Sequence, residues 1–120
     1  IFDIDFFKKV NYTYGHIKGY QVLKSLADTV KPMIEKNDYM LRWGGEEFVL
    51  ILSERTLEEA SAFAEKVRKA VETSDNGVCP VTVSIGVAAY DGKNYKSAID
   101  EADQALYRAK ENGRNRVEVS

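Results

Sequence analysis

A chain of 120 residues with 44% apolar side chains is enough for one domain around one hydrophobic core. Its 17 basic and 19 acidic residues nearly cancel, to a net charge of −2, so the basic excess of a nucleic-acid footprint is excluded and any phosphate site must be a local pocket. No apolar run approaches the length of a membrane span, and Cys79, the only cysteine, has no internal disulfide partner, which fits a reducing compartment.

Ile1 to Asp5 reads as a buried strand, and Phe6 to Tyr14 as a short helix or helical turn closed by Gly15 at its C-cap. Val22, Leu23, Leu26, Ala27, Val30 and Ile34 have helical spacing, with Pro32 set to kink or end that helix. Tyr39–Trp43 and Phe48–Leu52 read as the two arms of a hairpin. Thr56 and Glu59 form a capping box that opens a helix with Ala60, Phe63, Ala64, Val67 and Val71 inward. Ser74 to Pro80 is loop, and Val81 to Ala89 is a β-branched strand containing Gly86. Asp91-Gly92 turns the chain. A helix starting near Ser97 turns Ala98, Ala102, Ala105, Leu106 and Ala109 inward, Gly113 stops it, and Arg116 to Val119 is a last strand. This order implies an α+β layer design with helices covering a mostly antiparallel sheet.

Two acidic clusters stand out. Gly44 and Gly45 permit a tight turn, and Glu46 and Glu47 follow directly. A structural turn needs the glycines but not adjacent, mutually repelling acids; a site for a cation and its polyphosphate needs both. Asp3 interrupts the apolar run Ile1-Phe2-Asp3-Ile4, where a carboxylate is costly unless paired or metal-bound. Asp5 reads as a helix N-cap. Strand alternation puts Glu46 and Glu47 on opposite faces, so the turn geometry must decide whether both reach one site.

Asp3-Ile4-Asp5-Phe6-Phe7-Lys8 with Asn11, then Gly15-His16 and Gly19, then Arg42-Trp43-Gly44-Gly45-Glu46-Glu47-Phe48 resembles the GGDEF family of diguanylate cyclases. Val81 to Ala88, Ala102 to Lys110 and Asn112-Gly113-Arg114-Asn115 continue the resemblance in family order over nearly the whole chain. The resemblance implies a ferredoxin-like nucleotide-cyclase palm, with residues 1–120 as one such domain lacking its usual N-terminal segment. The implied reaction condenses two GTP to cyclic di-GMP and pyrophosphate with two Mg²⁺ ions, or Mn²⁺ in their place. Asp3, Ile4, Glu46 and Glu47 would hold metal, with Glu46 and Lys8 catalytic. Phe6, Phe7, Lys8, Asn11, His16, Tyr20, Lys110 and Arg114 would bind substrate. Lys110 and Arg114 also read as cations favoured by a helix C-terminus, and both roles are compatible. The implied partners are GTP, a second copy of the domain facing it, and regulatory domains in the same chain. No nucleic acid or membrane contact by this domain is expected, and a cytoplasmic location is.

Three positions depart from the family pattern. Tyr20 stands where an acid normally completes guanine recognition, and Tyr12 replaces the acid after Asn11. A phenol offers one oxygen and no charge where a carboxylate accepts twice. Glu35-Lys36-Asn37-Asp38 occupies the place of the inhibitory Arg-x-x-Asp motif; Glu35 would repel phosphate, so no inhibitory site is expected and Asp38 reads as structural. Two rival readings follow: a catalytically weak domain that binds nucleotide or partner as a regulatory module, and a cyclase of altered base choice.

Overall fold

A computed structural model describes residues 1–120. Five strands, β1 (Phe2–Ile4), β2 (Tyr39–Gly44), β3 (Glu47–Ile51), β4 (Val83–Val87) and β5 (Val117–Val119), form one sheet in the order β2-β3-β1-β4-β5. The pairings β2–β3, β3–β1 and β1–β4 are antiparallel, and only β4–β5 is parallel. The helices are α1 (Phe7–Tyr14), α2 (His16–Val30), α3 (Leu57–Thr73) and α4 (Tyr95–Glu111). The α+β design with a mostly antiparallel sheet is thus observed. No helix is long and apolar enough to cross a membrane.

Strand alternation divides the sheet chemically. Phe2, Ile4, Phe48, Val83 and Ile85 share one face and form a single core with Val22, Leu23, Leu26 and Val30 of α2 and Ala64, Val67 and Val71 of α3. Burying each such large aliphatic or aromatic side chain is worth about 1.5–3 kcal/mol. Phe2 and Phe48 sit opposite each other in register with ring centroids 5.4 Å apart. The other parity carries Asp3, Glu47, Ser84 and Gly86. Against this face lies α4, through Ala102, Ala105, Leu106 and Ala109, all buried. Gly86 makes that approach possible: a Cβ there would lie 2.1 Å from the Ala102 carbonyl oxygen and 2.4 Å from the Leu106 nitrogen.

The local signals hold where they are local. The Thr56 hydroxyl accepts from the Glu59 amide at 3.1 Å, and the Glu59 carboxylate accepts from the Thr56 amide at 3.0 Å. Gly15 closes α1, its amide donating to the Asn11 carbonyl, and serves at once as the N-cap of α2. Helix α4 opens earlier than expected, at Tyr95, because the Asn94 side chain caps it by accepting from the Ser97 amide. Ala60 and Phe63 of α3 are only half-buried.

Three expectations need correction. Ile34 lies outside α2, because Pro32 turns the chain into a short 3-10 segment, Lys31–Met33. Strand β4 spans Val83–Val87, shorter than Val81–Ala89, and one further bond, from the Asp5 amide to the Thr82 carbonyl, continues the β1–β4 pairing just before it. Asp5 is not a helix N-cap. That position belongs to Phe6, in the left-handed conformation at φ 57° and without a side-chain cap, while the Asp5 carboxylate points inward.

Candidate active site

The β1–β3 register places Asp3 directly opposite Glu47. Paired residues of antiparallel strands share a face, so both carboxylates belong to the α4 side of the sheet. Asp3 is 4% exposed. Its Oδ2 lies 2.6 Å from Lys110 Nζ on α4, while its Oδ1 is the one buried side-chain polar atom without a hydrogen-bond partner. Burial pushes the Asp3 carboxyl above its usual pKa against the pull of Lys110, with Asp5 and Glu46 adding repulsion. Burial likewise raises Glu47, helped by the charges of Asp103 and Asp3. Two desolvated carboxylates in register, one with an idle buried oxygen, are a donor set that fits a hard divalent cation.

The hairpin tip explains how the two glutamates divide. β2 runs through Gly44 with a bulge after Arg42, and β3 begins at Glu47. Gly45 supplies the positive φ of 42° that the turn requires, and Arg42 Nε donates to its carbonyl at 2.9 Å. Glu46 therefore belongs to the turn, where strand alternation does not bind it, and its charge reaches Asp3. The glutamates and Asp3 do not converge here into one cluster of three ligands: no group of three or more His, Cys, Asp or Glu side chains is so placed. The set in place is the Asp3–Glu47 pair, with Glu46 at the turn beside it.

Of the cations expected at the site, Lys110 is the one in contact with this pair. Lys8 is exposed on the first turn of α1, where backbone amides lack intrahelical acceptors. Phe6, 62% exposed, lies under the Arg114 guanidinium at 4.5 Å. Phe7 is buried in the core, so it has only backbone to offer a ligand. Asn11 packs its amide onto α2 at Gly19, where a Cβ would come within 1.8 Å of Asn11 Oδ1. His16 is exposed at the start of α2. One turn on, Tyr20 is 63% exposed and lines a groove of about 370 Å³ with Leu23, Lys24, Asp28, Arg42 and Phe48. Tyr20 therefore stands on the solvent side of α2 and not in the core.

The Glu35–Asp38 segment is spent on structure. Asp38 accepts two hydrogen bonds from Arg55, at 2.7 and 2.8 Å, and one each from the Glu35 and Ser53 amides. The Arg55 guanidinium holds the Asp38 carboxyl well below the usual carboxylate range. The Glu35 side chain is 80% exposed and 3.6 Å from Arg55. No carboxylate oxygen of Asp38 is left free.

Sequence reasoning missed two residues of this neighbourhood. Asp103 follows from helical spacing alone, since it lies two turns before Lys110 on the same side of α4. Asp5, read as a cap, is a buried acceptor whose partners come from distant parts of the chain.

Known proteins share this chain's sequence pattern and fold. The sequence model of "Diguanylate cyclase, GGDEF domain" matches residues 1–116. Diguanylate cyclase A of Treponema denticola is 45% identical over 98% of this chain, and diguanylate cyclase DgcM of Escherichia coli K12 is 48% identical over 98%. The chain spans only 33% and 29% of those two proteins. The GGDEF domain of DgcB from Caulobacter crescentus, solved with c-di-GMP, superposes with a TM-score of 0.90 at 33% identity, covering 98% of this chain and 74% of that one. The active GGEEF domain of a diguanylate cyclase from Vibrio cholerae superposes at 0.89 and 34% identity, covering 98% and 78%. Family model, relatives and fold agree, and the chain belongs to the diguanylate cyclase GGDEF-domain family.

Proposed function

We propose that this domain is a diguanylate cyclase that condenses two GTP into cyclic di-GMP with release of two pyrophosphates. The observation that carries the reading is the Asp3–Glu47 pair in register, with Asp3 buried, one of its oxygens idle and the other on Lys110. Asp3, Glu47, Glu46 and the backbone carbonyl of Ile4 would hold divalent cations, Mg²⁺ or Mn²⁺, two per site. When bound, such ions polarise the α-phosphate and lower the pKa of the attacking 3′-hydroxyl.

The chain's own residues divide the remaining work. Glu46, free of strand geometry, accepts the proton of the 3′-hydroxyl. The first-turn amides of α1 with Lys8, Lys110 and Arg114 bind the triphosphate and offset the charge that builds on the leaving pyrophosphate. Asn11 and Tyr20 face the base, and His16 flanks it. Each domain holds one GTP, so two domains must face each other, and attached regulatory domains would control their meeting.

Tyr20 gives one rival its footing. Its exposed phenol replaces a carboxylate, and losing a charge-assisted pair costs about 1.5–3 kcal/mol, roughly tenfold to a hundredfold in affinity. Weak GTP binding and poor rejection of ATP are expected. Turnover with GTP, ATP and their mixture tests both readings. Cyclic di-GMP from GTP supports the cyclase, a mixed or adenine product supports altered base choice, and no product from either leaves a nucleotide-binding module. Tyr20→Asp should raise GTP affinity about tenfold.

A further inference from the structure

Asp5 is 4% exposed, and three hydrogen bonds fix its carboxylate. The Ser84 hydroxyl donates to Oδ1 at 2.6 Å, and the Thr82 hydroxyl and the Asn115 amide donate to Oδ2 at 2.7 and 3.0 Å. The turn after α4 needs that anchorage. Arg114 and Asn115 are consecutive non-glycine residues with positive φ, 64° and 47°, which L side chains adopt only when their surroundings hold them there. Asn115 is clamped from a second side by Arg68, whose Nη1 donates to its Oδ1 at 2.8 Å.

Arg114 itself is held differently. Its Nη1 stands 3.8 Å from Asp5 Oδ1, an ion pair without a hydrogen bond, and its guanidinium carbon lies over the Phe6 ring, 4.5 Å from the centroid. Ser84 and Thr82 already occupy the carboxylate, so Asp5 attracts the guanidinium without engaging its N–H donors. Lys110 is the contrast, in direct contact with Asp3 at 2.6 Å.

We propose that Asp5 is a positioning residue for Arg114, holding the turn and its cation at the N-terminal end of α1 with the guanidinium donors left for a triphosphate. The inference rests on the triphosphate role given above to Arg114. It also explains a buried acid that the chemistry does not otherwise use.

The test measures binding of three probes to the purified protein: a GTP analogue with a non-hydrolysable α,β-methylene bridge, inorganic tripolyphosphate, and guanosine. Asp5→Asn should weaken the two phosphate probes about tenfold and leave guanosine unchanged. In an Arg114→Ala background, Asp5→Asn should cost nothing further. Ser84→Ala, a milder change, should release Asp5 to hydrogen-bond Arg114 directly and weaken tripolyphosphate severalfold, so the proposal stays testable if Asp5→Asn fails to fold. Equal losses for guanosine and tripolyphosphate, or additive effects with Arg114→Ala, would overturn it. The NMR signal of the Arg114 guanidinium in nucleotide-free protein separates the two layers. An unchanged signal in Asp5→Asn or Ser84→Ala rules out positioning by Asp5. A changed signal with normal tripolyphosphate binding by Arg114→Ala removes the phosphate role and leaves the anchoring intact.

Discussion

Lys110 Nζ lies 2.6 Å from Asp3 Oδ2. A cation carried by α4 thus sits on the same carboxylate whose other oxygen has no partner. With Asp3 as a metal ligand and Lys110 as a triphosphate contact, as proposed, Lys110 and a divalent ion would compete for Asp3, and a triphosphate that draws Lys110 away would free it for metal. Metal and triphosphate should therefore bind cooperatively.

Replacing Lys110 separates those two effects. Lys110→Ala should tighten Mn²⁺ binding to the nucleotide-free protein about threefold to tenfold and weaken binding of a GTP analogue by a similar factor. Calorimetric titration of each ligand alone checks this. Weaker Mn²⁺ binding in the variant would mean that Lys110 supports the cation site and does not compete with metal.

The raised Asp3 and Glu47 carboxyls set a pH dependence. Both shift up from reference values of 3.8 and 4.5, so the folded protein takes up protons on them before the unfolded chain does. Their contribution to stability is full below those reference values and is lost as pH rises through the shifted ones. A metal needs the deprotonated forms, so its affinity should fall on acidification at a pH above the ordinary carboxylate range. Thermal melts across pH, with and without Mg²⁺, read the effect: the Mg²⁺-induced rise in Tm should shrink toward acid. A rise that stays constant down to pH 4 would remove these carboxylates from the metal site.

Asp38 carries the opposite sign. Its carboxyl is held far down by Arg55, so the stability it contributes is present above its reference value of 3.8 and lost as pH falls through the lower folded value. Asp38→Ala leaves a mostly buried guanidinium unpaired and should cost about 3 kcal/mol at neutral pH, measured by urea unfolding. Cyclic di-GMP should not bind at this surface, and any inhibition by product should be unaffected by Glu35→Ala.

Gly86 tests the seat of α4. Because a Cβ there meets helix backbone and not a flexible side chain, Gly86→Ala should cost about 3 kcal/mol. It should also push Lys110 off Asp3, so nucleotide binding should weaken beyond the loss of stability while Mn²⁺ binding to the nucleotide-free protein does not. A variant as stable as the parent would mean that α4 packs less closely than observed.

The hairpin and the capping box were legible because their causes are contiguous: Gly44, Gly45 and Glu46 lie within one turn, and Thr56 and Glu59 within another. The Asp3–Glu47 pairing was half legible. Sequence marked both acids as anomalous, but only the β1–β3 register decides that they share a face. Asp5 was misread because its donors stand 77, 79 and 110 residues away, beyond any local pattern. Ile34 fitted the helical period, but the period does not register that Pro32 has already ended the helix.

Product formation tests the central claim most directly. Wild-type and Asp3→Asn protein are incubated with GTP and Mg²⁺, and cyclic di-GMP and pyrophosphate are quantified across a range of protein concentrations. The wild type should release two pyrophosphates per cyclic di-GMP, with a rate that rises faster than linearly with protein as domains meet. Asp3→Asn should fall roughly a hundredfold or more. No cyclic di-GMP from the wild type, or an undiminished rate in Asp3→Asn, would contradict a cyclase built on the Asp3–Glu47 pair.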